Sequence, residues 1–397
     1  MAMKGTRETE QVWAALDKFQ IEVPSWGFAN TGTRFGKFIQ GGAATSIEEK
    51  FADAAQVNAL TGASPTVALH VLWDLPAGKS DVPMIQALEE KYAVKVGSIN
   101  PNLFQESEYK HGSIANPSSE IRKKALDHLL DCAEIGRALG SQDISLWIAD
   151  GSNYPGTQSM RKRIVWMEEV LGAMHASLSE GQRMLVEYKP FEPAFYHTDI
   201  ADWGMALELA RRAGPKAKVL VDTGHHYQGT NIEQVVAWLL HVGGLGGFHF
   251  NDRKYADDDL TLGSIDPYQL FRIFHEILNS DEKDRAGIAF MIDQSHNLKG
   301  KVEAMVQSVV TAQELYAKAA LVDRERLAGL QQECRLVEAE ECFRDAFWKD
   351  VRPLVQEWRE SRKLPAEPLR ALAESGYVEK VTRQRGSRNA RNVSSYA

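Results

Sequence analysis

The sequence predicts an α/β protein, a (β/α)8 TIM barrel with a C-terminal helical extension. Short apolar segments that suit buried parallel strands alternate eight times with helical patterns, without a fixed-length sequence repeat. Many of these segments end in polar residues, where a barrel of this kind carries its site. We therefore expect a catalytic barrel domain over residues 1–320 and a helical extension over residues 321–397.

The predicted strands are apolar runs with few helix-favouring residues, which is typical of strands buried on both faces. In chain order they are Val23–Asn30, Thr66–Asp74, Val94–Asn102, Asp143–Gly151, Arg183–Pro190, Lys218–His226, Gly246–Arg253 and Ala289–His296. Capping residues and amphipathic periodicity predict the helices. These are Thr9–Phe19, a helix after Ser46, Val82–Tyr92, Ser118–Leu139, Thr157–Leu178, Asp199–Ala213, Asn231–His241, Asp266–Leu278 and one from Lys299.

The alternation stops after about Ala320, and Val322–Trp358 has a charged helical pattern that Leu364–Pro368 interrupts. The tail from Lys380 carries four arginines and no acid; these are Arg383, Arg385, Arg388 and Arg391. We expect this tail to be solvated or to contact another subunit rather than to bind nucleic acid.

Composition limits the possible partners. The 397 residues carry a formal net charge of −8, which disfavours a nucleic-acid partner. The cysteines, Cys132, Cys334 and Cys342, form no C-x-x-C pair, so a disulfide framework or thiolate site is not expected. The first residues lack an apolar signal core, and no run of 18 apolar residues occurs. We expect a cytoplasmic protein without a membrane partner.

Acids and histidines gather at the ends of the last four predicted strands. Strand five ends with Glu187 and Lys189, which project to one face because they lie two residues apart. Oxygen and imidazole donors without a thiol suit Mn²⁺, Mg²⁺ or Co²⁺. The candidate metal ligands are Glu187, Asp222, His225, His249, Asp257, Asp259 and Asp293.

Each candidate has an ordinary structural explanation when it is taken alone. Asp293 could be a paired structural acid, and His249 could be a core histidine. Asp257 to Asp259 could be a solvated acidic loop. Burying so many acids together would be very costly, however, and a divalent cation would remove that cost. Lys189 cannot ligate a metal while it is protonated, so we expect it to donate to a substrate oxygen.

At these residues the sequence resembles the broad-specificity bacterial L-rhamnose isomerase group of the xylose isomerase-like TIM barrel superfamily. The resemblance covers roughly Val23 to Gln307, and its motifs are EYK, DTGHH, FHFND, DDD and MIDQSH. It implies one metal held by Glu187, Asp222, His249 and Asp293, and a second held by His225, Asp257 and Asp259. Asp222 and His249 stand where xylose isomerases proper have a glutamate and an aspartate, which agrees with the rhamnose isomerase group.

The resemblance also implies an activity, which is the interconversion of L-rhamnose and L-rhamnulose, with action on other aldohexoses. It implies two divalent metal ions per subunit, with Mn²⁺ favoured over Mg²⁺, Co²⁺ or Zn²⁺, and a homotetramer. His70 would open the sugar ring, Lys189 would stabilise charge at O1, and Asp259 would move a hydroxyl proton. The substrate would lie between Trp73 and Trp147. An aromatic loop around Arg34–Phe38, with Phe35, would reach a neighbouring subunit's site.

Three alternatives to an isomerase follow from the same residues. A sugar epimerase needs paired acids on opposite faces of its substrate, which Glu187 and Lys189 fit less well. A metal-dependent AP endonuclease needs a basic groove, which the charge of −8 disfavours. A non-catalytic sugar-binding barrel would be indicated by the loss of Lys189 or of a metal ligand, and the sequence keeps all of them.

Overall fold

The computed structural model describes residues 7–33, 36–193 and 195–391. Within them, eight parallel strands hydrogen-bond in chain order, each to the next. They are β1 (Val23–Pro24), β2 (Thr66–His70), β3 (Lys95–Asn100), β4 (Asp143–Trp147), β5 (Arg183–Glu187), β6 (Ala217–Asp222), β7 (Leu245–Phe250) and β8 (Ala289–Ile292).

The sheet closes on itself where the residue before β1 meets β8. The Glu22 amide donates to the Phe290 carbonyl at 2.8 Å, and the Ile292 amide donates to the Glu22 carbonyl at 2.9 Å. Each strand is followed by at least one helix that covers the outside of the barrel. The predicted (β/α)8 barrel is therefore confirmed.

The predicted helices of the barrel occur in the predicted order, α3 has the predicted bounds, and a short helix that was not predicted, α9, precedes β8. The helices of the barrel are α1 (Arg7–Leu16), α2 (Ile47–Thr61), α3 (Val82–Tyr92), α4 (Ser119–Leu139), α5 (Met160–Ser177), α6 (Trp203–Ala213), α7 (Ile232–His241), α8 (Pro267–Asn279), α9 (Glu282–Arg285) and α10 (Lys301–Ala320). Beyond them lie α11 (Arg324–Gln332), α12 (Leu336–Trp348), α13 (Arg352–Ser361), α14 (Pro368–Glu374) and α15 (Tyr377–Arg391). No helix in the described part of the chain is both long enough and apolar enough to cross a bilayer.

Most of the strands end earlier than the sequence predicts. After β1 the chain turns into a 3-10 helix over Ser25–Phe28, and after β2 it bends through Leu72, which has a φ of 78°. The Asp74 side chain fixes that bend, because it accepts from the His70 amide at 2.8 Å and from the Ser25 hydroxyl at 2.5 Å. The polar residues at the predicted strand ends thus belong to the loops that shape the barrel mouth.

Alternate residues of the strands point into the barrel and form layers. Leu185, Leu220 and Met291 form a small, fully buried cluster of their own. Two residues further along β5 and β6, Glu187 and Asp222 point the same way. The polar residues at the C-terminal mouth therefore stand on a packed apolar floor.

The C-terminal helices pack against the barrel domain. Val355 and Trp358 of α13 lie in one cluster with Val12 and Leu16 of α1. Arg385 of α15 is only 2% exposed. The expectation that the tail is solvated or contacts another subunit is therefore wrong for Arg385. The reason is a buried partner, Asp53 of α2, which Arg385 contacts at 2.7 and 3.0 Å.

Glu22 is a buried acid below the apolar floor, towards the N-terminal end of the strands. Its carboxylate accepts from the Ser98 hydroxyl at 2.5 Å and from the Ser98 amide at 3.1 Å. Burial raises the pKa of Glu22 from 4.5 to about 7, with a further contribution from Asp143. The folded protein therefore binds this proton more tightly than the unfolded chain does.

We predict that Glu22→Gln stabilises the fold in a pH-dependent way. Below pH 4.5 Glu22 is protonated in both the folded and the unfolded chain, so it does not lower the free energy of unfolding. As the pH rises the unfolded chain ionises Glu22 more readily than the folded chain does. The free energy of unfolding therefore falls, by about 3 kcal/mol above pH 7. Urea unfolding of metal-free protein should show the variant's advantage growing over this window. Glu180→Gln, at an exposed glutamate, is the control. An advantage that does not change with pH would contradict the account.

Candidate active site

A cavity of about 410 Å³ opens at the C-terminal mouth of the barrel, where the sequence predicted the site. Its walls come from the ends of most of the strands and from the loops that follow them. The lining residues are Trp26, Thr31, His70, Trp73, Asn100, Pro101, Phe104, Ser145, Trp147, Glu187, Lys189, His225, His249, Asp257, Asp258, Asp259, Asp293, Ser295 and Asn297.

Four side chains at the ends of strands β5 to β8 converge here, and all of them except the fully buried Asp222 line the cavity. Each offers a ligand atom, and the four atoms lie within 4.8 Å of one another; the residues are Glu187, Asp222, His249 and Asp293. The imidazole nitrogen Nδ1 of His249 lies 3.3 Å from Glu187 Oε2 and 3.6 Å from Asp293 Oδ2. The structure thus brings together residues that lie as much as 106 positions apart in sequence.

His249 is buried and has no hydrogen-bond partner in the described part of the chain, as expected of a metal ligand. It is 3% exposed, and neither ring nitrogen makes a hydrogen bond to any described residue. Burial lowers the pKa of His249, but Glu187, Asp293 and Asp222 outweigh it and raise the pKa to about 9. A buried polar ring without hydrogen bonds is uncommon, and a bound ion is one of the ordinary explanations.

A second group lies beside the first, on the side of the loop after β7. His225 Nε2 lies 2.8 Å from Asp257 Oδ1, and His225 Nδ1 lies 3.1 Å from Glu187 Oε1. Asp257 also contacts the Lys189 ammonium, which lies 2.7 Å from Glu192 Oε2. Asp259 lines the same cavity.

Asp257, Asp258 and Asp259 all line the cavity, but the loop conformation gives the Asp258 side chain a different role from those of Asp257 and Asp259. Asp257 and Asp259 have left-handed backbones with φ of 51° and 47°, a conformation that aspartate tolerates better than most residues. Between them, Asp258 accepts hydrogen bonds from the amides of Lys254 and Tyr255 at 2.6 Å. Asp258 therefore fixes the loop.

The electrostatics of the two groups favour a cation. Burial and the neighbouring acids raise the pKa values of Asp222 and Asp259 above the usual range. Burial also raises the pKa of Asp293. In the absence of an ion the cluster holds protons, because so many carboxylates cannot all ionise in a small buried volume. A divalent ion replaces such protons on binding, so the donor set fits one.

Side chains outside the cluster hold its members in place. Asn251 donates to both oxygens of Asp222, at 3.0 and 3.2 Å, and the Gly224 amide donates to one of them at 2.6 Å. A Cβ at position 224 would lie 2.4 Å from Asn251 Oδ1, so a larger residue here would displace Asn251 from Asp222. Trp26 Nε1 donates to Asp293 Oδ1 at 2.8 Å. Partners of this kind orient ligating carboxylates.

His70 lies across the cavity from these acids and is neutral. Burial lowers its pKa to about 4. Nδ1 faces the Val71 carbonyl oxygen at 3.2 Å, so Nδ1 carries the proton and donates it there. Nε2 is then the acceptor of the ring.

Aromatic rings form one wall of the cavity. Trp73 stacks on His70 with ring centroids 3.8 Å apart, and Phe104 lies 4.7 Å from Trp147. The Lys189 ammonium lies 5.1 Å from the centre of the Trp147 ring. Such a wall suits the apolar face of a small polyol and limits the access of water.

Most of the predicted site residues meet in this cavity, but one cannot be placed. Phe35, predicted to contact substrate, lies outside the described residues. Asp74, at the end of the second predicted strand, is paired with Lys50 at 2.5 Å. Asp150 accepts from the amides of Ser113 and Ala115. Both acids therefore have structural partners.

Several residues at the cavity were not predicted from the sequence. They include Trp26, Asn100, Phe104 and Ser145, and also Thr31, Pro101, Ser295 and Asn297. Ser145 shares a strand face with Trp147, so period-two alternation could have identified it. Trp26 and Phe104 lie in irregular segments after their strands, where no periodic signal exists.

Comparison with known proteins identifies the family. The xylose isomerase-like TIM barrel family model matches residues 62–278. A Rhizobium meliloti (strain 1021) protein named a probable sugar isomerase is 39% identical over 388 residues, covering 95% of this chain and 89% of the relative. One from Mesorhizobium japonicum, named likewise, is 37% identical over 383 residues, covering 95% and 88%. The chain belongs to the xylose isomerase-like TIM barrel family.

A solved structure supports the fold. The structure described as L-ribulose 3-epimerase superposes with a TM-score of 0.55 and covers 77% of this chain and 98% of its own. The two sequences are only 12% identical over that match. The likeness therefore concerns the shared barrel architecture.

We predict that Asp293→Ala weakens divalent metal binding. The change removes one of the four converging donors and leaves His249 Nδ1 without the acid 3.6 Å away. Inductively coupled plasma mass spectrometry after dialysis against Mn²⁺ should show one ion per chain fewer than in the wild type. Asp284→Ala, at an exposed acid of α9, is the control. An unchanged metal content in a folded Asp293→Ala protein would exclude Asp293 as a ligand.

Proposed function

We propose that the chain is a metal-dependent aldose–ketose isomerase that interconverts L-rhamnose and L-rhamnulose and also acts on other aldohexoses. The observation that carries this proposal is the convergence of Glu187, Asp222, His249 and Asp293, with Lys189 in the same cavity. The relatives named probable sugar isomerases, which match this chain over 95% of its length, support the reaction class. The preference for L-rhamnose rests on the motif resemblance.

In this proposal the chain holds two divalent ions, Mn²⁺ in the first place, with Mg²⁺, Co²⁺ or Zn²⁺ as substitutes. The converging group of Glu187, Asp222, His249 and Asp293 would hold one ion. Asp222 would be shared with a second site, whose other donors are His225, Asp257 and Asp259. When bound, the ions would supply ligation of substrate hydroxyls and electrophilic polarisation at C1 and C2.

His70 is suited to opening the ring of the sugar. Its Nε2 is an unprotonated acceptor at neutral pH, because burial lowers the pKa to about 4. The hydrogen bond from Nδ1 to the Val71 carbonyl holds the ring and its tautomer. In the proposed reaction Nε2 accepts the proton of the C1 hydroxyl as the bond from C1 to the ring oxygen breaks, and the protonated imidazole ring returns this proton to that oxygen.

Lys189 is suited to stabilising negative charge on a substrate oxygen. Lys189 is 4% exposed. Burial lowers the pKa of its amine, but the neighbouring carboxylates of Asp257 and Glu192 raise the pKa by more, so the amine stays charged. Its place beside the ring of Trp147 puts the ammonium at the edge of the cavity. In the proposed reaction it donates to O1 as charge develops there.

Asp259 and the two tryptophans complete the proposed roles. The Asp259 carboxyl faces the cavity from a loop whose backbone Asp258 fixes. In the proposed reaction Asp259 accepts the proton of the C2 hydroxyl, the hydrogen on C2 moves to C1, and Asp259 returns its proton to O1, so that the carbonyl passes from C1 to C2. Trp73 and Trp147 flank the sugar and exclude water.

The direct test is an assay of ketose formation. Protein stripped with EDTA should be inactive on L-rhamnose, and Mn²⁺ should restore the formation of L-rhamnulose. D-allose and L-mannose then report how broad the specificity is. Inactivity on all three sugars in metal-loaded protein would contradict the proposal. Interconversion of two ketoses that differ only at C3 would instead indicate an epimerase.

We predict that Lys189→Met folds and binds metal but loses most of its turnover. The loss of one well-placed charged donor lowers kcat about 100-fold, which corresponds to ~3 kcal/mol. Steady-state kinetics on L-rhamnose, with the metal content measured in parallel, give the result. Lys254→Met, at an exposed lysine after β7, is the matched control. An unchanged kcat would exclude the proposed role of Lys189.

We also propose a cytoplasmic homotetramer in which the helical extension over residues 321–397 takes part in subunit contacts. Large apolar side chains of α12 are exposed in the single chain, which supports this part of the proposal. They are Leu336, Val337 and Trp348, each more than 70% exposed. Light scattering should give four times the chain mass of 44.3 kDa, and a monomer would contradict the proposal.

A further inference from the structure

We propose that Asn389 of α15 is a positioning residue for the active-site wall, because it clamps the base of the segment that includes Thr31. The inference rests on the proposed function for its kinetic consequence. Among the residues that the structure describes, the segment consists of Asn30, Thr31 and Gln40 to Ala44.

Both polar atoms of the Asn389 side chain make hydrogen bonds to this segment. It is 2% exposed and donates through Nδ2 to the carbonyls of Gly41 and Ala43, both at 2.9 Å. Its Oδ1 accepts from Asn30 Nδ2 at 3.0 Å. A residue nearly 360 positions later in the chain thus satisfies three polar groups of one short segment.

Asn30 carries this restraint to the other end of the segment. Its Oδ1 accepts from the Gln40 amide at 2.9 Å, and its Nδ2 donates to the Gln40 carbonyl at 3.2 Å. Gln40 Nε2 in turn donates to the His296 carbonyl at 3.2 Å. The two ends of the segment are therefore tied together and to the loop after β8.

The next residue, Thr31, lines the cavity. Its hydroxyl lies 2.6 Å from the hydroxyl of Ser295, which also lines the cavity. Ser295 lies two residues after Asp293. Asn30 is joined to Thr31 by one peptide bond, so a displacement of Asn30 would move a residue that lines the cavity. This connection does not involve the metal-ligand cluster.

The helix that carries Asn389 is itself anchored. Arg385 donates to Asp53 and to the Gly42 carbonyl at 2.9 Å, which fixes α15 against α2. A Cβ at position 42 would lie 2.9 Å from Thr382 Oγ1, so the helix packs directly on the segment. Removing one partner of a buried ion pair is strongly destabilising. Arg385 is therefore the anchor, and Asn389 is the residue to test.

The inference predicts a specific kinetic pattern. Lys189 and the proposed ligands other than Asp293 belong to β5, β6 and β7 and to the loops after them, whereas the segment is tied to the loop after β8. Loosening the segment should weaken sugar binding and leave the chemical step intact. We expect Asn389→Ala to raise KM for L-rhamnose about fivefold with kcat unchanged, the effect of losing one ordering hydrogen bond.

The experiment combines hydrogen exchange with kinetics on metal-loaded, full-length protein. Asn389→Ala and Asn30→Ala should each speed amide exchange in peptides covering residues 30–44 and raise KM. The double variant should raise KM no further than the larger single effect, because both residues act through one link. Arg383→Ala, at an exposed arginine of α15, should change neither readout.

Two results would overturn the inference. One is unchanged exchange in residues 30–44 in both variants, and the other is faster exchange with an unchanged KM. If Asn389→Ala does not fold, Asn30→Ala decides by the same criteria. A wild-type protein inactive on every aldose would overturn the proposed function, whereas exchange over residues 30–44 would still decide whether the clamp exists.

Discussion

The structure depends most on how five acids share one small volume at the mouth of the barrel. Glu187, Asp222 and Asp293 lie with His249, and Asp257 and Asp259 follow in the loop above β7. Carboxylates in such a space repel one another, and burial adds to the cost of each charge. Protonation, imidazolium groups and the Lys189 ammonium balance part of this charge in the chain itself. A divalent cation balances it more completely and supplies a reason for assembling the acids.

The barrel makes this assembly possible. Side chains two residues apart on a strand point the same way, so Leu185 and Leu220 form a dry floor beneath Glu187 and Asp222. The floor keeps solvent below the cluster away, and the aromatic wall limits it from the side. Behind the ligands, Asn251 and Trp26 fix the carboxylates by hydrogen bonds. The site is therefore rigid at its base and bounded by loops at its rim.

The sequence was sufficient to predict the barrel and the meeting of the strand-end residues. Alternation predicts which face Glu187 and Lys189 share, and closure of the barrel brings β5 to β8 together. It was insufficient where the chain is irregular. Trp26 lies in a 3-10 helix that the sequence pattern extends as strand, and Leu72 takes a left-handed backbone that no local signal announces.

Polar contacts between residues far apart in the chain could not be predicted from the sequence either. Arg385 belongs to a basic tail that we expected to be solvated or to contact another subunit, yet it is buried against Asp53 of the same chain. Asn389 gave no signal at all, because a single asparagine in a polar helix does not indicate its partner. Such contacts depend on how α15 packs against α2, which is a property of the folded chain.

Anomalous diffraction at the manganese edge tests the central claim most directly, on crystals of the full chain grown with Mn²⁺. We expect one peak within about 2.4 Å of donor atoms of Glu187, Asp222, His249 and Asp293. We expect a second peak beside His225, Asp257 and Asp259. Manganese bound only elsewhere, or an empty cluster in protein with Mn²⁺ in the crystal, would contradict the view that these acids form a metal centre.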